Sequence, residues 1–146
     1  MSTNTPRTRK PSELIKRGYA EEEVIALYEM SRFLLESGDI FRAEVILKGL
    51  VIVAPDYIWP KTALSYISLI QQNFELAKSR ADDALRLSNQ QEAMLYKITA
   101  LLELGELSSA GSLLGELQDE ENRLSLQAKR VLKILLAKFD MKQRDV

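Results

Sequence analysis

The chain has 146 residues, 46% of them hydrophobic, enough for one domain with a buried core, and its six glycines and four prolines exclude collagen-like and low-complexity classes. No apolar run approaches the roughly 20 residues of a membrane span, and the N-terminus has no apolar segment of the secretory type, so a cytoplasmic protein without direct membrane insertion is expected. There is no cysteine and no histidine, which removes disulfides, thiolate ligands, the commonest metal ligand and the usual general base at neutral pH.

Residues 1–11 read as a disordered basic tail. Arg7, Arg9, Lys10, Lys16 and Arg17 against Glu13 place +4 on the first 18 residues and leave −5 on the rest, and that acidic body argues against nucleic-acid binding. A single domain is expected over 12–146. It begins with a short helix over about 12–17, capped by Ser12 and ended by Gly18. Three helix pairs follow, over about 21–37 and 40–53, 59–71 and 74–87, and 90–104 and 106–118. A last helix over about 124–141, apolar from Leu124 through Val131 and Leu135 to Phe139 and carrying Lys129, Arg130 and Lys133, suits a terminal cap with a polar outer face.

The pairs are copies of one pattern. Sliding the chain by 34 carries Ile40, Ala43, Leu47 and Leu50 onto Phe74, Ala77, Ala81 and Ala84; a further 33 carries these onto Leu107, Ala110, Leu114 and Leu117. The turn position reads Gly38, Gln72, Gly105, and Leu35, Leu69 and Leu102 keep the same spacing. Pro55 maps onto Asn89 and Asn122, just past each apolar helix. A period near 34 is the signature of the tetratricopeptide repeat, a helix–turn–helix unit. The expected fold is therefore all-α: three such pairs, repeats at about 24–57, 58–91 and 92–123, in a right-handed superhelix with a short N-terminal helix and a C-terminal capping helix. The alanine that opens each second helix lets the two helices of a pair approach closely.

No catalytic constellation is legible, and no enzyme is expected. The segment "GELSSAGSLLG" continues helical periodicity rather than forming a phosphate loop, and Asp82–Asp83 and Asp119–Glu120–Glu121 point in diverging directions from adjacent positions. The aromatic residues are more informative: Tyr28, Phe33, Trp59, Tyr66 and Tyr96 all fall on first helices, which line the concave side of such a superhelix. Spacing places Tyr28, Arg32 and Leu35, then Trp59, Tyr66 and Leu69, then Tyr96 and Thr99 on that side. Aromatic and Arg side chains in a groove are the usual anchors for a bound chain.

These features resemble a known family, the tetratricopeptide chaperones of bacterial type III secretion that hold translocator proteins before export. "LYEMSRFLLESGDIFRAEVILKGL" is similar to that family's first repeat and "ALLELGELSSAGSLL" to its third, and the resemblance covers about residues 12–120. It implies a concave groove that takes an extended segment of a secreted or translocator client and an N-terminal helix that mediates homodimerisation; the residues themselves, without histidine, cysteine or converging carboxylates, lead to the expectation of no cofactor and no metal. Tyr28 matches a groove tyrosine of the family, while Leu35 and Ile40 stand where it often has tyrosines and Arg32 where an aromatic is common. A needle-subunit chaperone of the same export system and a general adaptor for a protein assembly are the alternative readings. Replacing Ala43, Ala77 or Ala110 with Leu is expected to overpack the helix crossing and cost about 1–3 kcal/mol each, measured by chemical denaturation.

Overall fold

A computed structural model describes residues 18–145. The expected tail and the short helix at 12–17 lie outside the described residues, and with them the proposed dimer contact. The described chain is all-helical, with no strand: α1 Glu21–Glu36, α2 Ile40–Val53, α3 Ile58–Ile70, α4 Phe74–Leu85, α5 Gln91–Glu103, α6 Leu107–Asp119 and α7 Leu126–Arg144, with a 3₁₀ turn at Glu121–Arg123 before α7. No helix among these residues is long and apolar enough to cross a membrane. Each helix packs on the next in the chain; α3 also touches α5, and α5 touches α7.

Three of the reversals share one hydrogen-bond pattern. After α1, Asp39 N–H donates to Leu34 O at 2.8 Å and Gly38 N–H to Leu35 O at 3.1 Å. After α3, Asn73 N–H donates to Ser68 O at 2.9 Å and Gln72 N–H to Leu69 O at 3.0 Å; after α5, Glu106 N–H donates to Leu101 O at 2.9 Å and Gly105 N–H to Leu102 O at 3.2 Å. This is the Schellman arrangement, which satisfies the last carbonyls of a helix and requires a left-handed residue at its centre. Gly38, Gln72 and Gly105 have φ of 89°, 59° and 76°. The residue that closes each turn also starts the next helix. Asp39 Oδ1 accepts from Arg42 N–H at 3.2 Å and Asn73 Oδ1 from Leu76 N–H at 3.3 Å, two side-chain N-caps. Glu106 makes no such cap; its carboxylate accepts from Lys78 Nζ at 2.9 Å instead.

The core has two apolar clusters. The first joins Val24 and Tyr28 of α1 to Leu47 and Leu50 of α2 and to Tyr57, Leu64 and Ile67. The second joins Leu95, Ile98 and Leu102 of α5 to Leu114 and Leu117 of α6 and to Leu124, Leu132 and Leu135. Between them lies α4, whose buried face is only Ala77, Ala81 and Ala84, all fully buried. With so little side-chain volume, the backbones come close: Ser65 Oγ on α3 donates to Ala77 O at 2.8 Å. Arg80 supplies the rest. Its guanidinium donates to Ser68 Oγ at 2.7 Å and Leu64 O at 3.2 Å, and pairs with Glu44 of α2 at 3.3 Å, tying α2, α3 and α4 together.

The last helix differs from its expected bounds. It starts at Leu126, with Ser125 Oγ accepting from Ala128 N–H at 3.1 Å, and runs to Arg144. Leu124 is buried but lies before the helix, because Gln91 holds the link: its side-chain amide donates to Arg123 O at 2.9 Å and its oxygen accepts from Ser125 N–H at 3.2 Å. In "GELSSAGSLLG" Gly105 centres the turn and the segment is helical from Leu107 on, where Gly111 has a packing role. A Cβ there would sit 2.9 Å from Cζ of Phe139, so the glycine admits that ring against α6. Asp82 pairs with Lys97 at 2.7 Å, and Asp83 pairs with Arg86.

Gln72 holds a left-handed backbone at the cost of Cβ crowding, so Gln72→Gly is expected to stabilise the fold by about 0.5–1 kcal/mol, while Gly38→Ala destabilises it by about 1–2 kcal/mol. Urea denaturation of both variants checks the pair of signs. In the same assay Arg80→Met, which leaves the partly buried Glu44 without its strongest partner, is expected to cost about 2–3 kcal/mol.

Candidate functional site

The odd-numbered helices α1, α3 and α5 each send side chains into one cavity of about 210 Å³. Positions 28, 32 and 35 on α1 recur at i, i+4 and i+7 and so share a face, as do 59, 62, 63 and 66 on α3 and 92 and 96 on α5. The lining is Tyr28, Arg32, Leu35, Glu36, Trp59, Thr62, Ala63, Tyr66, Glu92 and Tyr96. Six of the seven residues expected to share a groove face therefore meet here: Tyr28, Arg32, Leu35, Trp59, Tyr66 and Tyr96.

Leu69 does not join them, and neither does Thr99. Leu69 lies one turn beyond Tyr66 and is half-buried outside the cavity. Thr99 turns its hydroxyl back to Leu95 O at 2.8 Å, within its own helix. Phe33, also on α1, points away and is 67% exposed. Four lining residues escaped the sequence reading: Glu36, Thr62, Ala63 and Glu92. Helical spacing was the available signal for three of them, since Thr62 and Ala63 fall between Trp59 and Tyr66, and Glu92 precedes Tyr96 by one turn.

The floor and walls are aromatic. Tyr28 meets Trp59 with ring centroids 6.5 Å apart and meets the buried Tyr57 edge-on at 5.8 Å, while Tyr66 and Tyr96 are tilted rings 5.5 Å apart. Such pairs hold each other's orientation beyond what burial alone supplies. Tyr57 Oη and Trp59 Nε1 are buried and have no protein hydrogen-bond partner among the described residues. Burial pushes the Tyr28 phenol up to about 12, with Arg32 pulling the other way and Glu29 adding to the rise. Burial, then Glu92, pushes Tyr96 up to about 12 as well, and burial raises Tyr57.

Charge around the mouth is unequal. Arg32 is occupied by Glu29 at 3.5 Å, whereas Glu36 and Glu92 form no ion pair among the described residues. Two larger cavities, of about 520 and 470 Å³, have different linings. The first has Asn89, Gln91 and Glu116 on its wall; the second is lined by Lys78, Asp82, Lys97 and Glu106, which pair as Lys78–Glu106 at 2.9 Å and Lys97–Asp82 at 2.7 Å. Of these three cavities the aromatic one has mostly apolar walls, and its two carboxylates are unpaired among the described residues, as are Glu116, Asp119 and Glu120 of the first of the larger ones. Comparison with protein-family models finds no matching family, and comparison with curated proteins finds no matching sequence.

Tyr28 and Tyr96 keep their protons more tightly in the folded chain than in the unfolded one, where a phenol titrates near 10. Their contribution to stability is full below about pH 10 and is lost as pH rises to about 12, on the order of 2 kcal/mol for each tyrosine. Denaturation midpoints measured across that window should fall together with the appearance of tyrosinate absorbance; a flat profile would contradict the burial of these rings.

Proposed function

We propose that this chain is a tetratricopeptide-repeat chaperone of a bacterial type III export system, cytoplasmic, holding an extended segment of a secreted translocator-type client against its aromatic cavity. The observation that carries the reading is the convergence of Tyr28, Leu35, Trp59, Tyr66 and Tyr96, from three alternating helices, on one mostly apolar cavity. The repeated turn, the alanine-opened second helices and the α3–α5 and α5–α7 contacts favour a superhelix of stacked pairs, with α7 as its cap.

The mechanism follows from the client's chemistry. An exported chain with exposed apolar segments aggregates or inserts prematurely. A groove that accepts one short extended stretch shields it and favours the soluble client by mass action. Ordering a flexible client on binding costs entropy, which keeps affinity modest and permits handover to the export machinery. A cavity of about 210 Å³ suits a single anchoring side chain: an engineered cavity of about 150 Å³ takes a benzene, whereas drug-sized ligands need roughly 300 Å³ or more.

The test is purification of the full chain from its native host, with cross-linking and peptide mapping of whatever is bound, alongside Ala63→Phe. That change fills the cavity from its half-buried wall without removing a core side chain. A secreted or membrane-active client is expected, cross-linked at α1, α3 or α5, with affinity at least tenfold lower for Ala63→Phe and unchanged thermal stability. Recovery of a cytosolic assembly component at the same site would favour the adaptor reading, and binding indifferent to Ala63→Phe would remove the cavity from the function.

A further inference from the structure

We infer that the aromatic cavity selects a cationic side chain, a lysine or arginine of the bound segment, rather than a purely apolar one. The inference rests on the peptide-binding reading and narrows it. Three features carry it: four aromatic rings around one small volume, two carboxylates at its edge without ion-pair partners among the described residues, and a lining arginine whose charge is partly offset by Glu29.

The rings are Tyr28, Trp59, Tyr66 and Tyr96. Their faces are sites of negative potential that attract an ammonium or guanidinium within about 6 Å of the ring centroid, Trp most strongly. Glu36 and Glu92 add full negative charges, and neither is ion-paired among the described residues. Arg32, the lining group that would repel a cation, lies 3.5 Å from Glu29 in an exposed pair that offsets part of its charge, and against Glu36 and Glu92 it leaves the lining at −1. The lining therefore has a net negative balance before any ligand arrives.

An aliphatic side chain would gain the ring contacts alone, since the exposed Glu36 and Glu92 stay hydrated beside it, whereas a cation gains the ring faces and the attraction of both carboxylates as well. An acidic side chain would meet like charge. Lysine and arginine present what the site asks for: an apolar stem for Leu35 and Ala63 and a charged head for the rings and carboxylates.

The chain's single tryptophan is Trp59, so intrinsic fluorescence reports from the cavity wall without a label. The experiment selects a random dodecapeptide phage library on the purified full-length chain and resynthesises the best peptide with each Lys or Arg replaced in turn by norleucine. Enrichment of a Lys or Arg position is expected, with roughly 5- to 30-fold weaker binding of the norleucine peptide by Trp59 fluorescence. The double variant Glu36→Gln/Glu92→Gln, changed at two exposed positions, should shrink that ratio by at least threefold while its helical circular dichroism stays the same. Selection of uncharged apolar anchors, equal affinity of the norleucine peptide, or a ratio unmoved by the double variant would each overturn the inference and leave the groove reading standing. If no peptide is enriched, or if Ala63→Phe binds every selected peptide unchanged, the groove reading itself fails.

Discussion

The architecture depends on one repeated constraint: a helix must end with its carbonyls satisfied and its successor must start after a turn of three residues. The Schellman turns at 37–39, 71–73 and 104–106 meet both demands with the same backbone bonds. A left-handed centre reverses the chain, and the residue after it opens the next helix. Because the turn is short and stereotyped, α1, α3 and α5 enter their turns in equivalent relation to the partners that follow. Side chains at matching positions on three helices separated by more than 30 residues can then meet in one cavity.

The middle of the array is held differently from its ends. Leucine, isoleucine and aromatic side chains fill the first and last clusters, whereas α4 offers only alanines and relies on close backbone approach and the Arg80 network. Close approach brings α3 and α5 near enough for Tyr66 and Tyr96 to touch, which closes one side of the cavity. The alanine face and the aromatic cavity are thus linked: bulk on α4 would spread the helices whose side chains form the site. The charged residues complete the picture, since pairing of Arg32 with Glu29 leaves Glu36 and Glu92 to define the sign of the mouth.

Much of this was legible in the residue order. Helix bounds, the turn positions and the buried alanines follow from spacing, because one face of a helix must be apolar wherever it meets a neighbour. Gly38 and Gly105 announce left-handed turns, and Gln72 is recognised only through its alignment with them. The start of α7 was misplaced because Leu124 continues the apolar spacing, while the bonds from Gln91 that hold its link connect residues more than 30 apart. Such long-range bonds leave no periodic trace.

The cavity shows the same division. That Tyr28, Trp59, Tyr66 and Tyr96 belong to one side of the fold is a matter of helical phase, which the sequence by itself determines. Which of the residues in that phase actually meet was decided only by the tertiary structure. Leu35 is admitted and its counterpart Leu69 excluded; Glu36 and Glu92 stand at the edge, and Arg32 lines the cavity while lying 3.5 Å from Glu29. Phase is a property of one helix and is written along it. Depth, closure and charge depend on the distance and tilt between helices, which are set by the volumes of side chains far away in the chain.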